Sequence, residues 1–151
     1  MHETIPAARS LTLRRTFKAP RERVFAAWTE PEIAREWFAP PPGMTIPDLA
    51  LDVRVGGAYR IVFRAEDGEV SEVAGVYREV QPPERLAYTW RFPGWAADTL
   101  VVIEFHARGD ETDVVLTHRD FADAEECAAH ERGWRMSLNN LARTVSGRER
   151  S

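Results

Sequence analysis

The chain has 151 residues, 44% of them hydrophobic and 29% charged, and a formal net charge of -4. A domain of that length hides roughly 68 to 70% of the surface its unfolded form exposes, so one real core is expected, and disorder or a fibrous architecture is excluded. The acidic balance lacks the clustered Lys and Arg that a phosphate backbone requires, which excludes nucleic acid as a partner.

Cys127 is the single cysteine and has no internal partner for a disulfide, and Met1 to Ser10 lacks the apolar run of a signal peptide. A cytoplasmic protein is therefore expected. No stretch approaches the roughly 20 consecutive apolar residues of a membrane span, so none is expected. Lys18 is the one lysine and the one position open to Schiff-base chemistry; just before a helix it reads as a solvated surface residue.

In chain order, residues 1–10 read as a flexible segment, 11–146 as a single domain and 147–151 as a flexible tail. Leu11, Leu13 and Phe17 among Thr and Arg predict a strand, and Ala19-Pro20 supplies a proline suited to a first helical turn. Val24, Phe25, Ala27 and Trp28 make a helical stripe over residues 21–29, followed by a second short helix over 31–38. The cluster Pro40-Pro41-Pro42-Gly43 stops it. After Gly43 the period changes to two, predicting strands near 45–52, 58–64, 70–80 and 84–92, with turns at Gly56-Gly57, Asp67-Gly68 and Pro82-Pro83.

A turn centred on Gly109-Asp110 predicts a last hairpin in which Phe105 opposes Val114, Ile103 opposes Leu116 and Val101 opposes His118, an almost wholly apolar face. Val102 with Thr117, Glu104 with Val115 and His106 with Asp113 then form the wetter face. Beyond Phe121 the pattern is helical to about Val145, with Cys127, Glu131, Trp134, Leu138, Leu141 and Val145 at spacings of three and four. The economical packing is an α+β domain, a curved antiparallel sheet of about seven strands (β-α-α-β6-α) wrapped around the long C-terminal helix.

Four separated segments carry more specific information. They are Phe17-Lys18-Ala19-Pro20-Arg21-Glu22-Arg23-Val24-Phe25-Ala26-Ala27-Trp28, Trp37-Phe38-Ala39-Pro40, Asp52-Val53-Arg54-Val55-Gly56-Gly57-Ala58-Tyr59-Arg60, and Gly133-Trp134 with Leu138 and Leu141. With Pro82-Pro83-Glu84-Arg85-Leu86, Thr89-Trp90 and Thr117-His118, they resemble the START-related, birch-pollen-allergen-like (SRPBCC) superfamily, in its branch named after the heat-shock-protein-90 ATPase activator homologues. The resemblance implies a helix-grip fold. That superfamily includes lipid and hormone carriers, polyketide cyclases, antibiotic self-resistance proteins and co-chaperone domains, so the fold does not select a function among them.

The expectation for function is a cytoplasmic small-molecule binding protein with an apolar cavity between sheet and C-terminal helix, taking a small hydrophobic or aromatic ligand. Its candidate lining is Trp37, Tyr59, Trp90, Val101, Ile103, Phe105, Leu116, His118, Trp134 and Leu138, with Trp95 as a lip. One alternative is a polyketide cyclase or hydrolase-like enzyme, or a self-resistance protein, in which His118 does acid-base work with Tyr59 or Tyr88. A further alternative is a chaperone-associated protein-binding domain, and a homodimer is left open.

The remaining motifs read structurally. Asp52 and Arg54 are expected to bond the Gly56-Gly57 turn, and His106 facing Asp113 is expected to be a surface pair worth about 0.2 to 1 kcal/mol. Gly133, mid-helix beside His130, costs about 1 kcal/mol against alanine, which predicts a close approach to the sheet, as packing or pocket shaping. Four His and one Cys match no metal spacing, and no phosphate loop or nucleophile elbow is present, so neither metal nor cofactor is expected.

Overall fold

The computed structural model describes residues 9–38 and 43–148. The expectations for residues 1–8, for Pro40-Pro41-Pro42 and for 149–151 lie outside the described residues. Within them the order is β1 (Leu11–Phe17), α1 (Arg21–Thr29), α2 (Pro31–Trp37), β2 (Thr45–Leu51), β3 (Ala58–Arg64), β4 (Val70–Gln81), β5 (Arg85–Trp90), β6 (Thr99–Arg108), β7 (Glu111–Arg119) and α3 (Ala124–Arg148). Helix α3 thus runs two residues past the expected domain end at 146.

Among the described residues the seven strands form one antiparallel sheet in the order β1-β7-β6-β5-β4-β3-β2. The β6–β7 hairpin has the register that the alternation predicts: Val101 faces His118, Ile103 faces Leu116 and Phe105 faces Val114. Strand β1 adds to it through Leu11 with His118 and Leu13 with Leu116, so the apolar face of three strands is continuous and buried. On the other face one expectation is corrected. His106 bonds Glu104 Oε1 at 3.0 Å, while Asp113 accepts from Thr16 Oγ1 and Arg108. Residues two apart on a strand share a face, so Glu104 competes with the cross-strand Asp113 for the ring, and two other donors already hold Asp113.

The curl of the sheet is concentrated in β4. It pairs with β3 through Val70–Val76 and with β5 through Tyr77–Gln81, leaving one partner as it takes up the other. Strand β5 is shorter than expected because Glu84 N–H turns back to Gln81 O at 2.6 Å and Arg91 forms only an isolated bridge with Ala74. Beyond the bend, β2 packs against α2, and Phe63 of β3 stands across from α3.

Helix α1 opens on Pro20, and α2 has Pro31 in its first turn, where a missing N–H costs nothing. Their buried faces meet: Trp28 and Trp37 stand edge to face with centroids 4.7 Å apart, and Trp37 Nε1–H donates to Ala27 O at 2.9 Å. Helix α3 is capped by Asp123 Oδ1, which accepts Glu126 N–H at 2.8 Å. It buries Cys127, Trp134, Leu138, Leu141 and Val145, the stripe read from the sequence, while Glu131 is half-buried and pairs with Arg135. The core therefore lies between α3 and the concave face of the sheet.

Candidate ligand cavity

Along α3 a second row runs beside the apolar stripe: Ala129, Gly133 and Ser137, at i, i+4 and i+8, with His130 and Trp134 next to them. These residues face Phe63 of β3, Ser71 of β4, Trp90 of β5, Phe92 beyond it, and Phe38 and Met44 from either side of residues 39–42. Small side chains on the helix stand opposite large ones that do not meet them, and a cavity of about 230 Å³ is left between.

Gly133 corrects an expectation. A Cβ built on it would meet nothing within 4 Å, so the glycine makes no close approach to the sheet. It borders the cavity, where its missing side chain is empty volume.

The polar groups of the wall are locked by hydrogen bonds whose directions can be assigned. Trp90 Nε1–H donates to His130 Nε2 at 3.1 Å, and His130 Nδ1–H donates to Glu126 O, one turn back on α3, at 3.1 Å. An indole nitrogen can only donate, so His130 Nε2 must be the bare nitrogen of a neutral ring. Burial lowers the His130 pKa and agrees with that state.

Behind the wall lies the second histidine. Trp134 Nε1–H donates to His118 Nδ1 at 3.0 Å, which by the same argument puts the His118 proton on Nε2. That proton goes to Thr99 Oγ1 at 2.8 Å, and the Thr99 hydroxyl donates to Trp90 O at 2.6 Å. The chain has one direction, from α3 through β7 and β6 to β5. His118 is 0% exposed, and burial, with neighbouring His130 second, pushes its pKa from 6.5 down to about 2. Both nitrogens of His118 are thus committed, and the arrangement ties α3, β7, β6 and β5 together.

The other residues expected on the cavity are distributed as follows. Trp90 and Trp134 line it. Trp37 stacks on Phe38 at 4.1 Å, one layer back, and Val101, Ile103, Phe105, Leu116 and Leu138 are filled core. Tyr59 belongs to a separate gap of about 10 Å³ with Trp28, Tyr77 and Tyr88. Burial raises the pKa of Tyr59 and Tyr88, so both phenols stay neutral. Trp95 stands beside two wall residues, its ring centroid 5.4 Å from that of Phe92 and 5.5 Å from that of His130. Asp52 and Arg54 bond each other beside the Gly56-Gly57 turn, both Asp52 oxygens accepting Arg54 Nε–H at 3.0 Å, while Gly57 N–H closes the turn on Arg54 O at 2.8 Å.

Phe38, Met44, Phe63, Ser71, Phe92, Ala129 and Ser137 line the cavity without being legible as lining in the sequence. The row Ala129, Gly133, Ser137 is the signal that could have located the void: small residues four apart along a helix whose adjacent stripe is large and apolar. Two other hollows, of about 400 and 330 Å³, lie on the outer face of the sheet among Glu72, Arg91 and Asp98 and among Arg78, Arg85, Glu104 and Arg119. Charged side chains stand in the walls of both, whereas none among the described residues borders the cavity under α3. Among the described residues no three His, Cys, Asp or Glu side chains converge on a common point, and no helix is long and apolar enough to cross a membrane.

A curved antiparallel sheet wrapped on a long C-terminal helix defines the helix-grip class. Residues 18–146 match the family model described as Activator of Hsp90 ATPase homolog 1-like protein, and the chain belongs to that family. A solved protein from Chromobacterium violaceum is 34% identical with a TM-score of 0.84, over 91% of this chain and 96% of that one. One from Nitrosomonas europaea is 25% identical with a TM-score of 0.82, over 97% and 100%. The AHSA1 protein from Silicibacter pomeroyi is 28% identical with a TM-score of 0.82, over 91% and 97%. No curated protein matches the chain.

Proposed function

We infer that the protein binds a small, mainly apolar molecule in the cavity between α3 and the sheet. Gly133 carries the reading. In mid-helix it is worse than alanine by about 1 kcal/mol. A Cβ there would meet nothing, and its backbone is not in the left-handed region, so neither crowding nor conformation calls for glycine. What glycine preserves is open space in the wall. A volume of about 230 Å³ equals the liquid share of about eight waters, at ~30 Å³ each, and a ligand that displaces them from apolar walls gains roughly 25 cal/mol per Å² of apolar surface buried. The single cysteine, Cys127, is free and buried, which suits work in the cytoplasm.

The test separates stability from binding. Gly133→Ala should raise stability by about 0.5 to 1 kcal/mol, since it removes the entropic cost of glycine without a clash. Gly133→Leu should fold and fill the cavity, so that naphthalene, which raises the melting temperature of the wild type, no longer does so. Destabilisation by Gly133→Ala, or an undiminished naphthalene shift in Gly133→Leu, would remove the cavity reading.

A further inference from the structure

The cavity wall has an unusual hydrogen-bond inventory. Its indole nitrogens are committed, Trp90 to His130 and Trp134 to His118, and both nitrogens of His130 are occupied. Among the described residues no Lys, Arg, Asp or Glu borders the space. What remains is two hydroxyls. Ser71 is exposed and stands at the mouth; Ser137 is 4% exposed and faces inward from α3.

A serine inside a helix commonly turns its hydroxyl back to the carbonyl four residues earlier, here Gly133 O. Ser137 does not. Among the described residues its hydroxyl has no hydrogen-bond partner, although the residue is buried, and its oxygen is not sealed in packing. Ser71 has water at its exposed position, so Ser137 is the one buried polar group of the pocket left without a partner among the described residues, and it is a docking point for a matching atom.

We propose that the ligand is an uncharged, compact aromatic molecule bearing one phenolic or carbonyl oxygen, which hydrogen-bonds to Ser137 Oγ. This rests on the cavity reading and narrows it. Flat rings suit walls made of Phe38, Phe63, Trp90, Phe92 and Trp134. A carboxylate or ammonium group is excluded, because entering this wall strips its water and offers no opposite charge in return. A hydroxyl both donates and accepts, so phenol and ketone oxygens serve equally.

Naphthalene, 2-naphthol and 2-naphthoate share one ring frame and differ in this one group, and their affinities can be measured by titration calorimetry at neutral pH. The wild type should bind 2-naphthol roughly 3- to 10-fold more tightly than naphthalene, the fold-change of one net hydrogen bond, and 2-naphthoate at least about 10-fold more weakly than 2-naphthol. Ser137→Ala, which favours the helix, should erase the advantage of 2-naphthol and leave naphthalene within about twofold. If naphthalene binds, Gly133→Leu blocks it, and Ser137→Ala leaves the 2-naphthol advantage intact, the proposal fails while the cavity stands. Tight binding of 2-naphthoate also overturns it. Binding of none of the three, or equal binding by Gly133→Leu, defeats both readings together.

Discussion

Thr89 on β5 shows how single residues shape the sheet. Its carbonyl accepts from the hydroxyl of Tyr59, a β3 side chain that reaches past β4, and its own hydroxyl accepts Val76 N–H at 2.9 Å. The ladder between β4 and β5 is therefore opened at this point, where the sheet bends. Gly75 makes the crossing possible: a Cβ there would lie 2.0 Å from Thr89 O, inside any contact distance. Gly75→Ala should accordingly cost about 3 kcal/mol or more, at or beyond the upper end of overpacking penalties, measured as a fall in the denaturant midpoint. A loss below 1 kcal/mol, roughly the ordinary price of a core adjustment, would mean that Thr89 is not held against Gly75. Nothing in the local pattern around Gly75 announces this contact, because the strand reads as ordinary alternation and the partner is 14 residues away, at Thr89.

At the scale of elements, α3 does two jobs with two adjoining rows. The row from Cys127 to Val145 seals the core, and Leu138 lies in it, fully packed and outside the cavity lining. Leu138→Ala should cost about 2 to 5 kcal/mol in chemical or thermal denaturation. An unchanged melting temperature would refute its placement between helix and sheet. This row was legible, since apolar residues at spacings of three and four can only be one face of a buried helix. The β6–β7 register was legible for the same kind of reason, because two faces of opposite character and one short turn leave one alignment. The second row is not legible as a void. A pattern of small residues permits a gap, but whether the opposite wall closes it depends on the curl of β4 and on where Phe63, Trp90 and Phe92 are placed across from that row.

For the whole molecule, the buried neutral histidines tie stability to pH. His118 is pushed down to about 2 and His130 is also lowered, while in the unfolded chain both titrate near 6.5. Below 6.5 the unfolded state thus binds protons that the folded state refuses. Stability is full above that pH and falls as pH drops, by up to about 1.4 kcal/mol per pH unit for His118, with His130 acting in the same direction. Glu104 and Asp113, lowered by bonds from His106 and Thr16 first, act with the same sign but only below their ordinary values of 4.5 and 3.8. Between pH 6.5 and 4.5 the slope belongs to the histidines, and His118→Gln should flatten it in urea titrations; a wild type whose stability is level across that window would contradict the assigned ring states. Element order, hairpin register and the buried face of α3 follow from local periodicities, which each short segment carries in itself. The division of the aromatic residues between filled core and cavity wall does not. Trp37, Phe105 and Trp90 look alike in the chain, and only the tertiary arrangement, with the sheet bent at Gly75 and the space beside Gly133 left empty, makes Trp90 border the cavity while the other two are packed solid.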